Sequence, residues 1–229
     1  MKKGFFIEDL LESLTAQART GPVSPFHSPD VSGVAATSFP TAFAESGVPP
    51  HVCLDVPLLP SVADGIHAEL ERARFKRHHH ADYHIDVLPR PAMAEGGELA
   101  RFVDWLGSDD AARFHRAWVG WPRGSVKPSK VQVQTARARH GDSFTEYVDT
   151  DDEGLAVIYA FSKDWRPEYG GALYFPKTDG SGGNALWIEA AFNRVMVFRP
   201  QGAPHGVTRV ETKRVTRYTI TTFYLYGGS

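Results

Sequence analysis

The chain of 229 residues has the length of one medium-sized domain, and a hydrophobic share of 42% is enough to build a substantial core. Its 25 lysines and arginines are balanced by 27 aspartates and glutamates, so the formal net charge of −2 excludes a generally basic surface for nucleic acid. The single cysteine, Cys53, excludes a disulfide framework and a cysteine-built metal site. Ten histidines leave room for a histidine–carboxylate metal centre.

The N-terminal segment begins with two lysines, but Glu8, Asp9 and Glu12 interrupt its apolar run, so it lacks the uncharged core of a signal peptide. No stretch approaches the roughly 18 apolar residues of a membrane span. The spacing of Phe6, Leu10 and Leu14 instead predicts an amphipathic helix that packs on the domain. We therefore predict a cytoplasmic protein with no membrane and no nucleic-acid partner.

The elements between residues 51 and 126 are predicted to be mainly helical. Ordered structure is expected to resume with the apolar stretch 52–59. Apolar periodicity and capping residues then predict a helix that starts at Ser61, a strand over 83–88, a helix over 98–106 and a helix that starts at Ser108. Before them, residues 19–50 are rich in Gly, Pro, Ser and Thr and read as an irregular arm. The predicted organisation is an N-terminal helix and arm over 1–50 followed by one domain over 51–229.

From residue 127 onward the pattern changes to short strands separated by turn residues. The predicted strands cover 131–136, 155–161, 172–175, 185–188, 194–198, 206–210 and 217–226. Many short strands that follow a helical layer favour an α+β, mainly β fold, namely a jelly roll with N-terminal flanking helices and a core at 127–226.

Polar residues lie at the ends of these predicted strands. Asp149 precedes one strand, His205 precedes another, and Arg217 opens the last strand with Thr219 two residues further on the same face. A carboxylate and an imidazole suit a divalent first-row metal, and an arginine suits a carboxylate ligand. A jelly roll brings such strand ends together at one mouth, where ligands bind.

The amino-acid sequence of the β-rich half resembles the catalytic core of the prolyl-4-hydroxylase-type Fe(II)/2-oxoglutarate oxygenases. The matching segments are Gly-Asp-Ser-Phe-Thr-Glu-Tyr-Val-Asp at 141–149, Val-Ile-Tyr-Ala-Phe-Ser-Lys-Asp-Trp at 157–165, Gly-Gly-Ala-Leu-Tyr-Phe-Pro at 170–176, Phe-Asn-Arg-Val-Met-Val-Phe at 192–198, Pro-His at 204–205 and Arg-Tyr-Thr-Ile-Thr-Thr-Phe at 217–223. They occur in the family's order with family-like gaps.

The resemblance implies a double-stranded β-helix that holds Fe(II) through a His-x-Asp…His motif, with 2-oxoglutarate as cosubstrate. By the motif match, Asp149 and His205 are metal ligands, Arg217 binds the far carboxylate of 2-oxoglutarate, and Thr219 is a second contact. Tyr159 is a further candidate for the 2-oxoglutarate pocket. The expected reaction consumes O2, releases succinate and CO2, and hydroxylates an amino acid, a peptidyl residue or a small natural-product intermediate.

The sequence departs from the family at the first position of the motif, which is Tyr147 instead of histidine. A phenol has a pKa near 10 and must lose its proton before it binds a metal well. Three interpretations follow. Tyr147 ligates the iron as an unusual catalytic residue, or it stands aside and water, an anion or another residue completes the site. Alternatively, the metal site is impaired and the chain is a binding or regulatory module; a retooled metalloenzyme without 2-oxoglutarate is a further option.

Two other histidine-containing segments are candidate metal sites. His140-Gly-Asp142 is literally a His-x-Asp, but it falls in the turn before the matched ligand position. The run His78-His-His80, with His84 nearby, lies outside the predicted core and favours a surface or substrate-side loop over a second metal site. Substrate contacts are expected in the N-terminal arm and in the segment 72–84, with Arg74 and the histidine run foremost.

Overall fold

The computed structural model describes residues 24–28, 48–49, 51–79, 83–119, 127–149, 153–177 and 180–227. The helix predicted around residues 6–14, and most of the predicted arm, lie outside these residues. Part of the arm packs against the domain, because the ring of Phe26 lies 5.3 Å from that of Phe102 in an edge-on contact. In the described ranges no helix has the length and apolar character needed to cross a membrane.

Three α-helices and eleven strands make up the described part of the chain. The helices are α1 (Pro60–Arg72), α2 (Glu98–Leu106) and α3 (Asp109–Trp118). The strands are β1 (His51–Asp55), β2 (Lys76–His79), β3 (His84–Leu88), β4 (Lys130–Ala138), β5 (Phe144–Tyr147), β6 (Glu153–Ala160), β7 (Leu173–Pro176), β8 (Asn184–Ile188), β9 (Arg194–Phe198), β10 (His205–Val207) and β11 (Arg217–Tyr226).

The strands form two antiparallel sheets that face each other. Within the described ranges the larger sheet has the order β1-β9-β6-β11-β4-β3-β2, and the smaller has the order β5-β10-β7-β8. Side chains from both sheets share an apolar cluster, in which Phe198 of β9 meets Phe175 of β7 at 5.3 Å between ring centroids. The predicted jelly roll with flanking helices is confirmed.

Alternation along the central strands divides the larger sheet into two faces. On β6, Leu155, Val157 and Tyr159 belong to the main core with the helices, whereas Ala156 and Ile158 face the smaller sheet. The helical layer packs on the first face, where Phe102 and Leu106 of α2 are fully buried. The second face lines a cavity between the two sheets. No residue of α1, α2 or α3 lines this cavity.

The predicted helix starts are close to the observed ones. Ser108 caps α3, and its hydroxyl accepts a hydrogen bond from the Ala111 amide at 3.2 Å. Helix α1 begins at Pro60, one residue before the predicted cap, because proline has no amide proton to leave unpaired in a first turn.

Several strand boundaries and two strands differ from the sequence predictions. The apolar stretch 52–59 is a strand only as far as Asp55, because Val56 turns the chain with a φ of 53°. The strand predicted over 206–210 is the shorter β10. Strands β2 and β5 were not predicted, since neither shows a sustained apolar alternation. Trp187, which lies on the predicted strand 185–188, is 47% exposed on β8.

Candidate functional site

The two sheets enclose a cavity of about 770 Å³. Its walls are mostly apolar, with Ile158 and Phe223 from the larger sheet and Leu173 from the smaller one. A volume of this size is typical of small-ligand sites. The predicted site residues that line this cavity are Tyr147, Asp149, His205, Arg217 and Thr219.

Strand pairing in the smaller sheet brings three of these residues together. The register of β5 and β10 places His205 opposite Tyr147, with the two ring centroids 4.4 Å apart. Asp149 follows β5 directly, and its Oδ2 lies 3.8 Å from Nε2 of His205. The turn between β9 and β10 holds Asp149 in place through a bridge to Gln201.

A backbone carbonyl fixes the tautomer of His205. Its Nδ1 lies 2.9 Å from the carbonyl of Ala203, which only accepts hydrogen bonds, so Nδ1 carries the proton and Nε2 presents a lone pair toward Asp149. Burial lowers the pKa of His205, while the Ala203 carbonyl and the charge of Asp149 act in the opposite direction. The imidazole is therefore neutral at neutral pH, the form that binds metal.

Tyr147 has the opposite electrostatic setting. Removal of solvent from its hydroxyl, followed by the nearby Asp149 and Tyr83, raises the pKa of this phenol above its ordinary value. In the part of the chain that the structure describes, no group of three or more His, Cys, Asp or Glu side chains is placed to hold a metal ion. Asp149 and His205 thus fit a divalent first-row ion as a two-ligand set, and the third position differs chemically from the family pattern.

Arg217 is a buried cation at the cavity wall. Its side chain is 6% exposed, and its Nε donates to the carbonyl of Gly171 at 2.7 Å. No carboxylate in the described ranges forms an ion pair with this guanidinium, and burial lowers the pKa of Arg217 to about 10. It nevertheless stays charged at neutral pH, so the cavity offers an uncompensated positive charge that favours an anionic ligand.

Thr219 and Gly171 shape the surroundings of this arginine. Thr219, buried two residues along β11, faces the same cavity with its hydroxyl-bearing side chain. Gly171 has a φ of +66°, and a Cβ there would lie 2.8 Å from Cδ of Arg217. The second glycine of the Gly-Gly pair therefore lets the arginine side chain pass across the backbone.

Tyr159 does not face the cavity, contrary to the sequence prediction. In the β6–β11 register it lies opposite Ile220, whereas Thr219 lies opposite Ala160. Directly opposed residues share one face of a sheet, so Tyr159 projects toward the helices and away from the Thr219 side. There its hydroxyl lies between Nε2 of His27, at 2.6 Å, and Nε2 of His115, at 2.8 Å.

The alternative pair His140 and Asp142 is also placed away from the cavity. Arg77 binds the Asp142 carboxylate through two nitrogens at 2.5 and 2.8 Å, and the Arg139 amide donates to it at 2.8 Å. His140 is exposed on the same turn. Asp142 therefore fixes the turn and the neighbouring β2–β3 hairpin, and this pair does not take the place of Asp149 with His205.

Arg137 and Arg139 belong to an ion cluster around Asp86, and Arg137 also lines the cavity. Both bind the fully buried carboxylate of Asp86, with 2.7 Å from Nε of Arg137. The three guanidiniums around Asp86, including that of Arg77, hold the pKa of this carboxyl below its usual range against the effect of burial. This cluster connects β2, β3 and β4.

The cavity also contains polar residues that the sequence analysis did not select. Gln132 and Gln134 of β4 and Thr221 of β11 line its wall. The register pairs Thr221 with Gln134, so these two polar side chains are cross-strand neighbours. The alternation Val-Gln-Val-Gln at 131–134 indicates that the two glutamines share one face of the strand. Only the position of the smaller sheet shows that this face is the inner one.

Comparisons with known proteins agree with this architecture. Residues 129–225 match the family model of the 2OG-Fe(II) oxygenase superfamily, so the resemblance to these oxygenases is confirmed over the β-rich half. No curated protein sequence matches the chain significantly.

Solved structures share the fold at low sequence identity. A prolyl-4-hydroxylase from Pseudomonas putida is 15% identical with a TM-score of 0.59, covering 81% of this chain and 95% of its own. A prolyl hydroxylase from Trichoplax adhaerens, in complex with a peptide fragment of a hypoxia inducible factor, is 13% identical with a TM-score of 0.60, covering 99% and 94%. HygX from Streptomyces hygroscopicus, with nickel, 2-oxoglutarate and hygromycin B bound, is 11% identical with a TM-score of 0.54, covering 80% and 84%. The fold is thus the double-stranded β-helix of this class of oxygenases.

Proposed function

We propose that this protein is a non-haem Fe(II)/2-oxoglutarate-dependent oxygenase that hydroxylates an amino acid, a peptidyl residue or a small natural-product intermediate. The observation that carries the proposal is one cavity that joins the buried, carboxylate-free Arg217 to the Asp149–His205 pair. The family match over residues 129–225 supports it. Both peptide and small-molecule complexes occur among the related structures, in keeping with this range of substrates.

Each residue has a role that follows from its charge and position. Arg217 and Thr219 bind the far carboxylate of 2-oxoglutarate and orient the cosubstrate along the cavity. Asp149 and Nε2 of His205 hold the Fe(II). Iron held there would supply the oxygen activation by which 2-oxoglutarate, O2 and a substrate C–H bond give succinate, CO2 and the hydroxylated product. The apolar wall around Phe198 and Phe223 keeps bulk water from the reacting centre.

By the motif match, Tyr147 corresponds to the third position of the proposed metal site, where the family motif has histidine. A matched pair of variants tests this role. Tyr147→Phe keeps the ring beside His205 and removes only the hydroxyl, whereas Tyr147→His restores the imidazole of the family. If the phenol binds the metal, Tyr147→Phe weakens Fe(II) binding by about tenfold or more. Unchanged Fe(II) affinity in Tyr147→Phe would leave a two-residue site completed by water or an anion.

An anaerobic titration tests the proposed site as a whole. Metal-free protein is titrated with Fe(II) and then with 2-oxoglutarate, while the visible charge-transfer band of the iron chelate is recorded. We expect the band in the wild-type protein, and a 2-oxoglutarate affinity about 30-fold or more lower in Arg217→Ala. Arg166→Ala is the matched control, because that arginine is exposed outside the cavity. Metal binding without the band would contradict the oxygenase proposal.

A second candidate is a binding or regulatory module that retains the dicarboxylate site without oxygen chemistry. It is favoured by the raised pKa of the Tyr147 phenol at the position of a metal ligand. The two candidates differ in turnover. Succinate formed in step with O2 uptake identifies an oxygenase, whereas 2-oxoglutarate binding that depends on Arg217, without succinate under any metal loading, identifies the module.

A further inference from the structure

The β2–β3 hairpin carries a histidine pair that the cavity does not use. The two strands pair antiparallel, and the last pair before the connecting segment is His79 opposite His84. The side chains of β2 are all exposed, so His79 is open to solvent, as is His84 on β3. Two imidazoles on adjacent strands of one sheet face are therefore presented outside the protein core.

The two rings are oriented toward each other through their nitrogens. Nδ1 of His79 lies 3.2 Å from Nδ1 of His84, and the ring centroids are 5.1 Å apart. Two metal–nitrogen bonds of about 2.0–2.1 Å that end on nitrogens this far apart subtend an angle of roughly 100°, close to a tetrahedral value. A single ion bound between the rings thus requires little movement of either side chain.

We propose that His79 and His84 form a second metal site, distinct from Asp149 and His205, for a divalent ion that prefers imidazole ligands, such as Zn²⁺. Imidazole nitrogens are donors for this class of ion. In the described ranges no third His, Cys, Asp or Glu completes a larger cluster, so water fills the remaining positions. The site is a two-histidine clamp across a pair of strands.

The His79–His84 clamp lies at the end of the hairpin that is next to the cavity wall. At its other end the hairpin is already fixed, because Arg77 binds both Asp86 and Asp142. Next to the histidine pair, Tyr83 stacks on Phe144 of β5 at 4.8 Å and forms a backbone bridge with it, and both side chains line the cavity. A metal ion between His79 and His84 would link the two strands beside this cavity wall.

Zinc titration of untagged protein tests the site without relying on catalysis. The double variant Asp149→Ala/His205→Ala removes the proposed cavity site, and Zn²⁺ binding is measured by competition with a chromogenic chelator. We expect one equivalent to remain bound. Adding His79→Ala or His84→Ala should weaken its binding about tenfold or more, because each leaves a single imidazole. His78→Ala, one residue earlier on the same strand, is the matched control and should leave the affinity unchanged.

Hydrogen exchange gives a second readout of the same proposal. In the Asp149→Ala/His205→Ala variant, Zn²⁺ should slow amide exchange in residues 76–79 and 83–88. It should have no such effect when His84→Ala is added. Absence of bound Zn²⁺ in the folded double variant would overturn the proposal. An equal loss of affinity in His78→Ala and His84→Ala would overturn the assignment to this pair.

Discussion

The two faces of the larger sheet bury polar groups in different ways. Toward the helices, the Tyr159 hydroxyl is bound on both sides by histidines of the protein itself. Toward the cavity, the guanidinium of Arg217 is equally buried but has no carboxylate partner in the described ranges. On the first face the hydroxyl of Tyr159 is satisfied by groups of the protein itself, which contributes to stability. The second keeps a charge unmatched, which costs stability and is suited to binding an anion.

The hydrogen bonds on the helix face form a chain whose proton positions can be deduced. The Tyr224 hydroxyl donates to the carbonyl of Leu106 at 2.8 Å, so its contact with Nδ1 of His115 at 3.3 Å requires that this nitrogen carry the proton. Nε2 of His115 then accepts from Tyr159, whose oxygen accepts from Nε2 of His27. The chain depends on both histidines being neutral.

The N-terminal end of this chain joins the arm to the domain. Nδ1 of His27 accepts from the Ser24 hydroxyl at 2.6 Å, and the backbone of His27 bridges to Leu58. Residues 24–28 are therefore part of the packed structure. The two faces can be separated experimentally, because a substitution on one should change stability and a substitution on the other should change ligand binding.

The largest expected difference between the faces concerns core packing. Phe102 is fully buried and lies edge-on to Tyr159 at 5.1 Å, so Phe102→Ala should lower the free energy of unfolding by about 3–5 kcal/mol. Phe223→Ala, on the cavity face, should cost less than half as much, because that ring already borders open volume. Urea unfolding of both variants measures the contrast, and equal losses would show that the faces are packed alike.

Tyr159→Phe tests the internal pairing of the helix face. It removes the hydroxyl between two buried histidines and should lower the free energy of unfolding by about 1–3 kcal/mol, since the imidazole nitrogens lose a partner. The affinity for 2-oxoglutarate should not change. Thr219→Val is the counterpart on the cavity face and should weaken 2-oxoglutarate binding with little effect on stability. A drop in 2-oxoglutarate affinity in folded Tyr159→Phe would contradict the division into two faces.

Gly171→Ala tests the support of Arg217. A side chain at this positive φ costs about 1–2 kcal/mol, and its Cβ would also press on Cδ of Arg217. We expect a loss of stability of that size together with weaker 2-oxoglutarate binding. Gly180→Ala is the control, because Gly180 has a similar φ of +76° and no atom within 4 Å of the added Cβ. It should show the loss of stability alone, and equal binding losses in both variants would argue against a role for Gly171 in positioning the arginine.

The smallest predicted effect is a dependence of stability on pH. Burial lowers the pKa of His115 to about 3, from 6.5 in an unfolded chain. As pH falls below 6.5, the unfolded state takes up a proton that the folded state refuses, so stability decreases. This histidine alone should contribute a loss of about 1 kcal/mol between pH 6.5 and 5.5.

The variant His115→Gln isolates this contribution. Urea unfolding at pH 7.5, 6.5 and 5.5 should show a shallower decline in the variant than in the wild-type protein. Some decline should persist, because burial and then the nearby His115 lower the pKa of His27, and its burial remains in the variant. An unchanged pH dependence would show that His115 is not the buried neutral group that the hydrogen-bond chain requires.

Several candidate site residues could be predicted from the sequence, because polar residues at strand ends are recognisable from local patterns. Asp149, His205 and Arg217 lie at predicted strand ends, and the structure places all of them at one cavity. Helix α3 was predicted from its first residue because capping by Ser108 is a local interaction. Strands β2 and β5 escaped prediction, since their place in the sheets depends on partner strands and not on an apolar pattern of their own.

What the sequence by itself determined is the alternation of each strand and the chemical groups that each face would carry. Only the tertiary structure decided which face became the cavity, because this depends on strand register and on where the helices pack. The strand register also directs Tyr159 toward His115. Asp142 forms an ion pair with Arg77. The register of β2 and β3 places His79 opposite His84. Local features depend on residues that are close in the sequence and can be predicted from it. The pairing of distant groups depends on which arrangement of the whole chain buries the most apolar surface while its polar atoms form hydrogen bonds.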